Sequence, residues 1–320
     1  MFNLTHCNLQ CNSAYLFFMQ SKYWLTCCGI VLAGTVFGQI KKQFTVEDNQ
    51  SCQNVLLCVK ANSGNCYIKP SQNPEVLNVF SNQSENSYDH KFRQELKGKT
   101  FEIRLNLEEN HSEGLSESIS TRFFGSSDNE TVDKIWKMYL TNAKPYFLEL
   151  EYGVGNANVD LSGLAIKKLK INTGSADVNV GYTSSLENQI DMDTFVVKVD
   201  LGSINVKNIN LSRTRFVKAD VGFGNMSLDF SNKPLLSNRV KGSVGAGNLI
   251  IILPNQETPV LVKIHDSWLC SVKMPASLEK ISESTFANKA YKANAKDAKN
   301  ALTFDLDVSM GSIVFKESNP

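Results

Sequence analysis

A ten-residue pattern returns along this chain. It reads "VKANSGNCYI" from Val59, "LELEYGVGNA" from Leu148, "LKINTGSADV" from Leu169 and "VKVDLGSINV" from Val197. It continues as "VKADVGFGNM" from Val217, "VKGSVGAGNL" from Val240, "VKIHDSWLCS" from Val262 and "FDLDVSMGSI" from Phe304. The sixth position holds Gly64, Gly153, Gly174, Gly202, Gly222, Gly245, Ser267 and Ser309. Successive gaps from Gly153 are 21, 28, 20, 23, 22 and 42, the last being twice 21, with a degenerate rung or an insertion between. A fixed period of this size marks a stacked repeat architecture.

Each unit has a physical reading. Positions one and three are apolar (Val59 and Ala61, Leu148 and Leu150, Leu169 and Ile171, Val197 and Val199), while two and four are polar. Alternation with period two is a strand with one buried face. The Gly or Ser at position six marks a tight turn. A second strand follows, as in "ADVNV" to Val180 and "NLIIIL" to Leu253. Such a unit cannot bury its apolar face alone, but stacked copies can. We therefore expect an all-β, parallel β-solenoid of rungs of about 21 residues; an antiparallel sandwich or barrel is the alternative. Only Asp133 to Leu140 and Ser284 to Asn300 are candidate helices, and the latter reads better as a decorated loop before the last rung.

The first 38 residues read as a signal peptide. Lys22 precedes the apolar run Tyr23 to Phe37, and cleavage is expected after Gly38, with Met19 the alternative start of translation. That run has 15 residues, short of the roughly 20 that span a bilayer. Residues 39–110 are expected to hold the first rungs and an N-terminal cap. Residues 111–145 are expected to form an irregular insertion that holds most of the acidic, Ser-rich stretch from Glu108 to Thr131. Residues 146–320 form the regular stack with a C-terminal cap. The mature chain is expected in the periplasm or at the cell surface. Its four cysteines, Cys52, Cys58, Cys66 and Cys270, permit disulfides there or stand as buried apolar residues.

The stretch from Trp136 through "YFLELEYGVGNANVDLSGLAIKKLKINTGSADVNV" to "GSIVF" resembles the toast-rack family, which includes the C-terminal domains of cell wall-active antibiotic response proteins similar to LiaF. The region around "VKANSGNCYI" resembles related adhesin domains built from β-rungs. The resemblance implies the fold and an envelope location. LiaF-like proteins carry several membrane helices ahead of this domain, so regulation of a membrane-embedded kinase is implied less directly.

The search for chemistry assigns no catalytic, cofactor-binding or metal-ligating residue. Thirty-three Lys and Arg against 32 Asp and Glu supply no field for nucleic acid. Lys60, Lys170, Lys198, Lys218, Lys241 and Lys263 share position two, and in a parallel stack would form one column that attracts anions. Asp200 and Asp220, two residues on, would cancel much of it. "GVGN", "GFGN" and "GAGN" from Gly153, Gly222 and Gly245 lack the downstream residues of nucleotide loops and read as turns, with Asn156, Asn225 and Asn248 placed to form a side-chain ladder. Asp177, Asp200 and Asp220 are the candidate acids of a carbohydrate-active β-helix, yet they fall on different rungs. His6, His90, His111 and His265 have no partner at metal-ligand spacing. Trp136 and Trp268 read as core or cap residues. Sequons stand at Asn82, Asn129, Asn210 and Asn225.

The expected function is that of an exported, non-enzymatic envelope protein, adhesin-like or part of an envelope-stress response. It would act through its solenoid surface on an envelope protein or an anionic surface polymer. A carbohydrate-active β-helix enzyme and a regulator of a membrane sensor kinase are the alternatives.

Overall fold

The computed structural model describes residues 40–83, 88–109, 134–294 and 300–318. The signal-peptide segment, Met19, His111, Asn129 and most of the Ser-rich stretch lie outside the described residues. The chain forms two large sheets, of 11 and 12 strands, with one apolar core between them. Each rung contributes one strand to each sheet. The regular rungs are β8 (Tyr146–Tyr152) with β9 (Asn156–Asp160), β10 (Ile166–Thr173) with β11 (Asp177–Gly181), β12 (Thr194–Val199) with β13 (Ser203–Lys207), β14 (Phe216–Val221) with β15 (Asn225–Asp229), and β16 (Asn238–Val244) with β17 (Asn248–Leu253). All these pair in parallel with their counterparts in the next rung. The β-solenoid expectation is borne out. The step is 26 residues from Asp177 to Ser203 and 23 from Asn225 to Asn248.

The buried face is the one the alternation marked. Val59, Ala61, Leu148, Leu150, Leu169, Ile171, Val197 and Val199 are all at most 3% exposed. Full burial of such a side chain stabilises by about 1.5–3 kcal/mol. Phe304 stands edge-on to Phe230 and to Phe315 across the inter-sheet space, with centroids 5.4 and 5.6 Å away. On the loop side, rungs are stitched by buried asparagines. Asn188 accepts from the Ile166 amide at 2.8 Å and donates to the Ile166 and Ile190 carbonyls at 2.8 and 2.7 Å. Asn288 does the equivalent work between the Val260 amide and the Thr258 carbonyl.

Register corrects the repeat alignment in two places. Leu148 and Leu169 pair with Leu57 and Phe195, not with Val59 and Val197. Both units were two residues out, a slip that preserves which face is buried. Gly64 and Gly202 therefore belong to the second glycine column, with Gly155, Gly224, Gly247 and Gly311. Here backbone meets backbone: a Cβ on Gly224 would collide with the Gly202 carbonyl oxygen, and one on Gly247 with that of Gly224. The first column is looser, except at Gly153, where a Cβ would collide with the Asn62 carbonyl oxygen, and holds Asp200 and Ser309 beside Gly153, Gly174, Gly222 and Gly245.

Both ends depart from sequence order. β6 (Thr100–Glu109) and β7 (Ile135–Leu140) form a rung outside that of β2 (Asn54–Ala61) and β3 (Asn65–Pro70). β1 (Lys41–Val46) and β4 (Leu77–Ser81) extend one sheet antiparallel, and β5 (Tyr88–Lys97) extends the other. At the far end, β22 (Leu302–Val308) and β23 (Ser312–Glu317) insert between the β16–β17 rung and the rung of β18 (Val260–Asp266) and β19 (Ser271–Lys273). The gap of 42 residues is thus an insertion, holding β20 (Glu279–Ser282), β21 (Thr285–Ala287) and the short helix α1 (Lys289–Asn294). The candidate helix at 133–140 is instead strand β7 over its described part, because Trp136, Met138 and Leu140 alternate into the core.

Candidate binding surface

The outward residues of the two sheets fall on straight columns. On the 12-stranded sheet the six lysines do not share one column. Lys170, Lys218, Lys241 and Lys263 do, but with Glu149, Val196 and Asp305 interleaved. Lys60 and Lys198 lie in the next column, with Glu151, Asp220, Asp307 and His265. Lys198 pairs with Asp200 at 3.0 Å and Lys218 with Asp220 at 2.8 Å. This face is close to neutral, so the anion-attracting column does not form, and the cancelling pairs do.

The candidate acids are not brought together. Asp177 accepts from Ser203 Oγ at 2.6 Å on one sheet, Asp200 sits in a turn, and Asp220 accepts from Ser243 Oγ at 2.9 Å on the other sheet. His265 meets Asp305 at 3.2 Å. Among the described residues no cluster of three or more His, Cys, Asp or Glu is arranged to hold a metal ion. Trp136 is in the core, whereas Trp268 is 90% exposed. Asn210 is buried and donates to the Phe230 carbonyl at 2.7 Å, so its sequon is not available to modification in the fold. Cys52, Cys58, Cys66 and Cys270 are free; burial pushes the Cys66 thiol up to about 12. Burial, then the Glu149 carboxylate, pushes Cys58 up to about 11.

The 11-stranded sheet carries a different face. Asn156 donates to Asn65 at 2.9 Å, Asn248 to Asn225 at 2.8 Å, and Ser312 to Asn248 at 2.6 Å. The expected ladder forms in part: Asn248 joins Asn225, whereas Asn156 joins Asn65, with Asp177 and Ser203 standing in the rungs between Asn156 and Asn225. The neighbouring outward column runs Lys42, Phe80, Lys137, Tyr67, Asn158, Asn179, Asn205, Ser227. At its start lies an open depression of about 300 Å³ lined by Tyr67, Lys69, Ile135, Lys137, Met138 and Tyr139. Phe80 stands edge-on to Tyr139 at 5.6 Å. Lysines alternate with aromatic rings here, then give way to amides. The sequence reading missed this site because its members come from β1, β4, β7 and β3, which are adjacent only through non-sequential pairing.

This architecture, two facing sheets of stacked parallel strands with an extended polar outer face, defines a β-solenoid. The chain belongs to the toast-rack family: residues 37–199 match the N-terminal domain of toast_rack, DUF2154. No curated protein matches the chain. Among solved structures it is similar to a candidate cell adhesion protein from Clostridium sporogenes, at 15% identity over 88% of this chain and 100% of that one, with a TM-score of 0.41. It is also similar to a candidate adhesin from Parabacteroides merdae, at 10% identity over 87% and 96%, with a TM-score of 0.29.

Proposed function

We propose that this toast-rack chain is an exported, non-catalytic protein of the cell envelope that binds an anionic surface polymer along the outer face of its 11-stranded sheet. The observation that carries this reading is the column Lys42, Phe80, Lys137, Tyr67 with the depression beside it. Aromatic rings give a sugar ring an apolar face to rest on, and the interleaved ammonium groups meet its anionic substituents. The amides of Asn158, Asn179 and Asn205 extend the track with one residue per rung, about 4.8 Å apart. A polymer of repeating units can lie along such a track. Export rests on the apolar run from Tyr23 to Phe37 behind Lys22. The same chemistry serves an adhesin-like role or the sensing of envelope stress.

The test is binding of the purified chain to anionic and neutral surface polysaccharides, with product analysis. Retention on anionic polymers that falls in Lys137→Glu and Tyr67→Ala supports the reading. Turnover of any polymer rejects it in favour of a carbohydrate-active enzyme. Sequencing the N-terminus of the protein recovered from its host tests export: a mature start at Gln39 is expected.

A further inference from the structure

At the edge opposite the buried asparagines, each rung turns from one sheet to the other through a tight apex. The apices stack by backbone hydrogen bonds, Leu201 N to Gly174 O at 2.8 Å, Phe223 N to Asp200 O at 2.8 Å, Ala246 N to Gly222 O at 2.9 Å and Met310 N to Gly245 O at 2.8 Å. The next turn is joined by the Ser267 hydroxyl, which donates to the Ser309 carbonyl. The apex residues therefore follow one another from rung to rung: Val154, Ser175, Leu201, Phe223, Ala246, Met310 and then Trp268 with Leu269. Leu201, Phe223, Met310 and Trp268 are 64, 73, 58 and 90% exposed. Turn apices ordinarily carry Gly, Asn, Asp or Ser. Large apolar side chains here fill no core, so the fold gives them no role.

We propose that this ridge is a membrane-contact edge that inserts its apolar side chains shallowly into a zwitterionic phospholipid surface. Three observations select a bilayer over another protein. The ridge consists of single exposed side chains on turn apices, widening to two at Trp268 and Leu269, whereas a protein partner must supply a matching groove. Five consecutive apices, from Leu201 to Trp268, are joined rung to rung and so lie side by side along one edge. Its margins are polar and mixed in charge, with the Asn225–Asn248–Ser312 ladder on one side and, on the other, the Lys198–Asp200 and Lys218–Asp220 pairs together with the exposed Asp266 and Asp307. Such margins suit zwitterionic headgroups and provide no strong pull toward anionic lipid. Trp268, at the end of the line, has the amphipathic ring that favours the headgroup level. The inference is independent of the polymer track, which lies on the sheet face and plays no part in binding to pure lipid.

The test uses the chain from Gln39 onward, the mature start expected above, which lacks Trp24 and the apolar run before it, with phosphatidylcholine vesicles lacking any polysaccharide. Trp136 is buried, so brominated lipid reports on Trp268. We expect quenching of Trp268 emission, and a loss of vesicle affinity of about tenfold or more in the Leu201→Ser, Phe223→Ser, Met310→Ser triple variant. Trp268→Ala alone, at a residue without packing partners to lose, should weaken binding several-fold with an unchanged melting curve. Addition of phosphatidylglycerol or of 0.5 M salt should change affinity by less than about threefold. Equal vesicle binding by the triple variant and the parent, or unquenched Trp268, overturns the proposal. So does a change of the parent from dimer to monomer on making the triple variant, which would assign the ridge to a second copy of the chain.

Discussion

Asn248 sits at the centre of a two-bond chain: its amide donates to Asn225 Oδ1 at 2.8 Å, and its carbonyl oxygen accepts from the Ser312 hydroxyl at 2.6 Å. These bonds join rungs from three separate stretches of sequence on an exposed face. Exposed hydrogen bonds contribute about 0.5–1.5 kcal/mol net. Asn248→Ala should cost about 1–2 kcal/mol in urea unfolding, and Asn225→Ala roughly half as much, since it loses one bond of the two.

The two glycine columns should respond differently. Gly224→Ala drives a Cβ into the Gly202 carbonyl, and crowding of this kind costs about 1–3 kcal/mol. At Gly174 a Cβ would stop 3.2 Å from the Gly153 carbonyl oxygen, and the aligned positions already hold Asp200 and Ser309. Gly174→Ala should therefore cost less than about 1 kcal/mol. Thermal melts of the two variants make the comparison; equal costs would show that the columns do not differ.

Asn188 satisfies one amide and two carbonyls inside the fold. Replacing it with Leu leaves those groups buried and unpaired, and should cost about 3 kcal/mol or more. An amide hydrogen-exchange experiment should show the Ile166 amide losing protection before its neighbours in β10.

Hydrogen bonds from Arg213 and then Arg215 hold the Asp191 carboxyl below the usual range, with distances of 2.9 and 2.8 Å. A carboxyl depressed in the folded state adds stability above its unfolded value of about 3.9. That contribution fades as the pH falls from there through the folded value. Asp191→Asn should lower stability at pH 7 by less than about 1 kcal/mol, because the pair is partly exposed. The difference from the parent should shrink as the pH falls below about 3.9 and vanish once Asp191 is protonated in the folded chain, as read from urea midpoints across pH.

The thiols of Cys58 and Cys66 are held protonated. At pH 8 iodoacetamide should label both slowly in the native chain and rapidly in urea. A fast native phase at Cys66 would contradict its burial at 1% exposure.

Much of the fold was legible in the residues. Inward Val, Leu and Ile at period two marked the core of every regular rung, and the repeated Gly-x-Gly-Asn placed the turns. Which glycine is obligatory was not legible, because close backbone approach leaves no mark on the strand pattern; the Asp200–Leu201–Gly202 turn shows it only through pairing. The lysine column failed for the same reason, since a two-residue slip keeps polarity but changes neighbours. Trp136 and Met138 read as helical until their burial showed period two. The Tyr67–Lys137 contact lay beyond reach, joining strands separated by an excursion through β4, β5 and β6.

The placement of β22 and β23 between earlier-made rungs has a kinetic meaning. As a chain emerges from the ribosome, β16 and β17 can dock as soon as they appear, but β18 and β19 have no seat until the last rung has threaded in beside them. The growing edge at β16 stays open while about 60 further residues are made, a length set by the 64 positions separating Asn248 from Ser312. Closure of this end thus waits until β22 and β23 have been made. It pairs strands distant in sequence, the slow kind of contact, and leaves an unpaired edge waiting for a partner of the wrong kind.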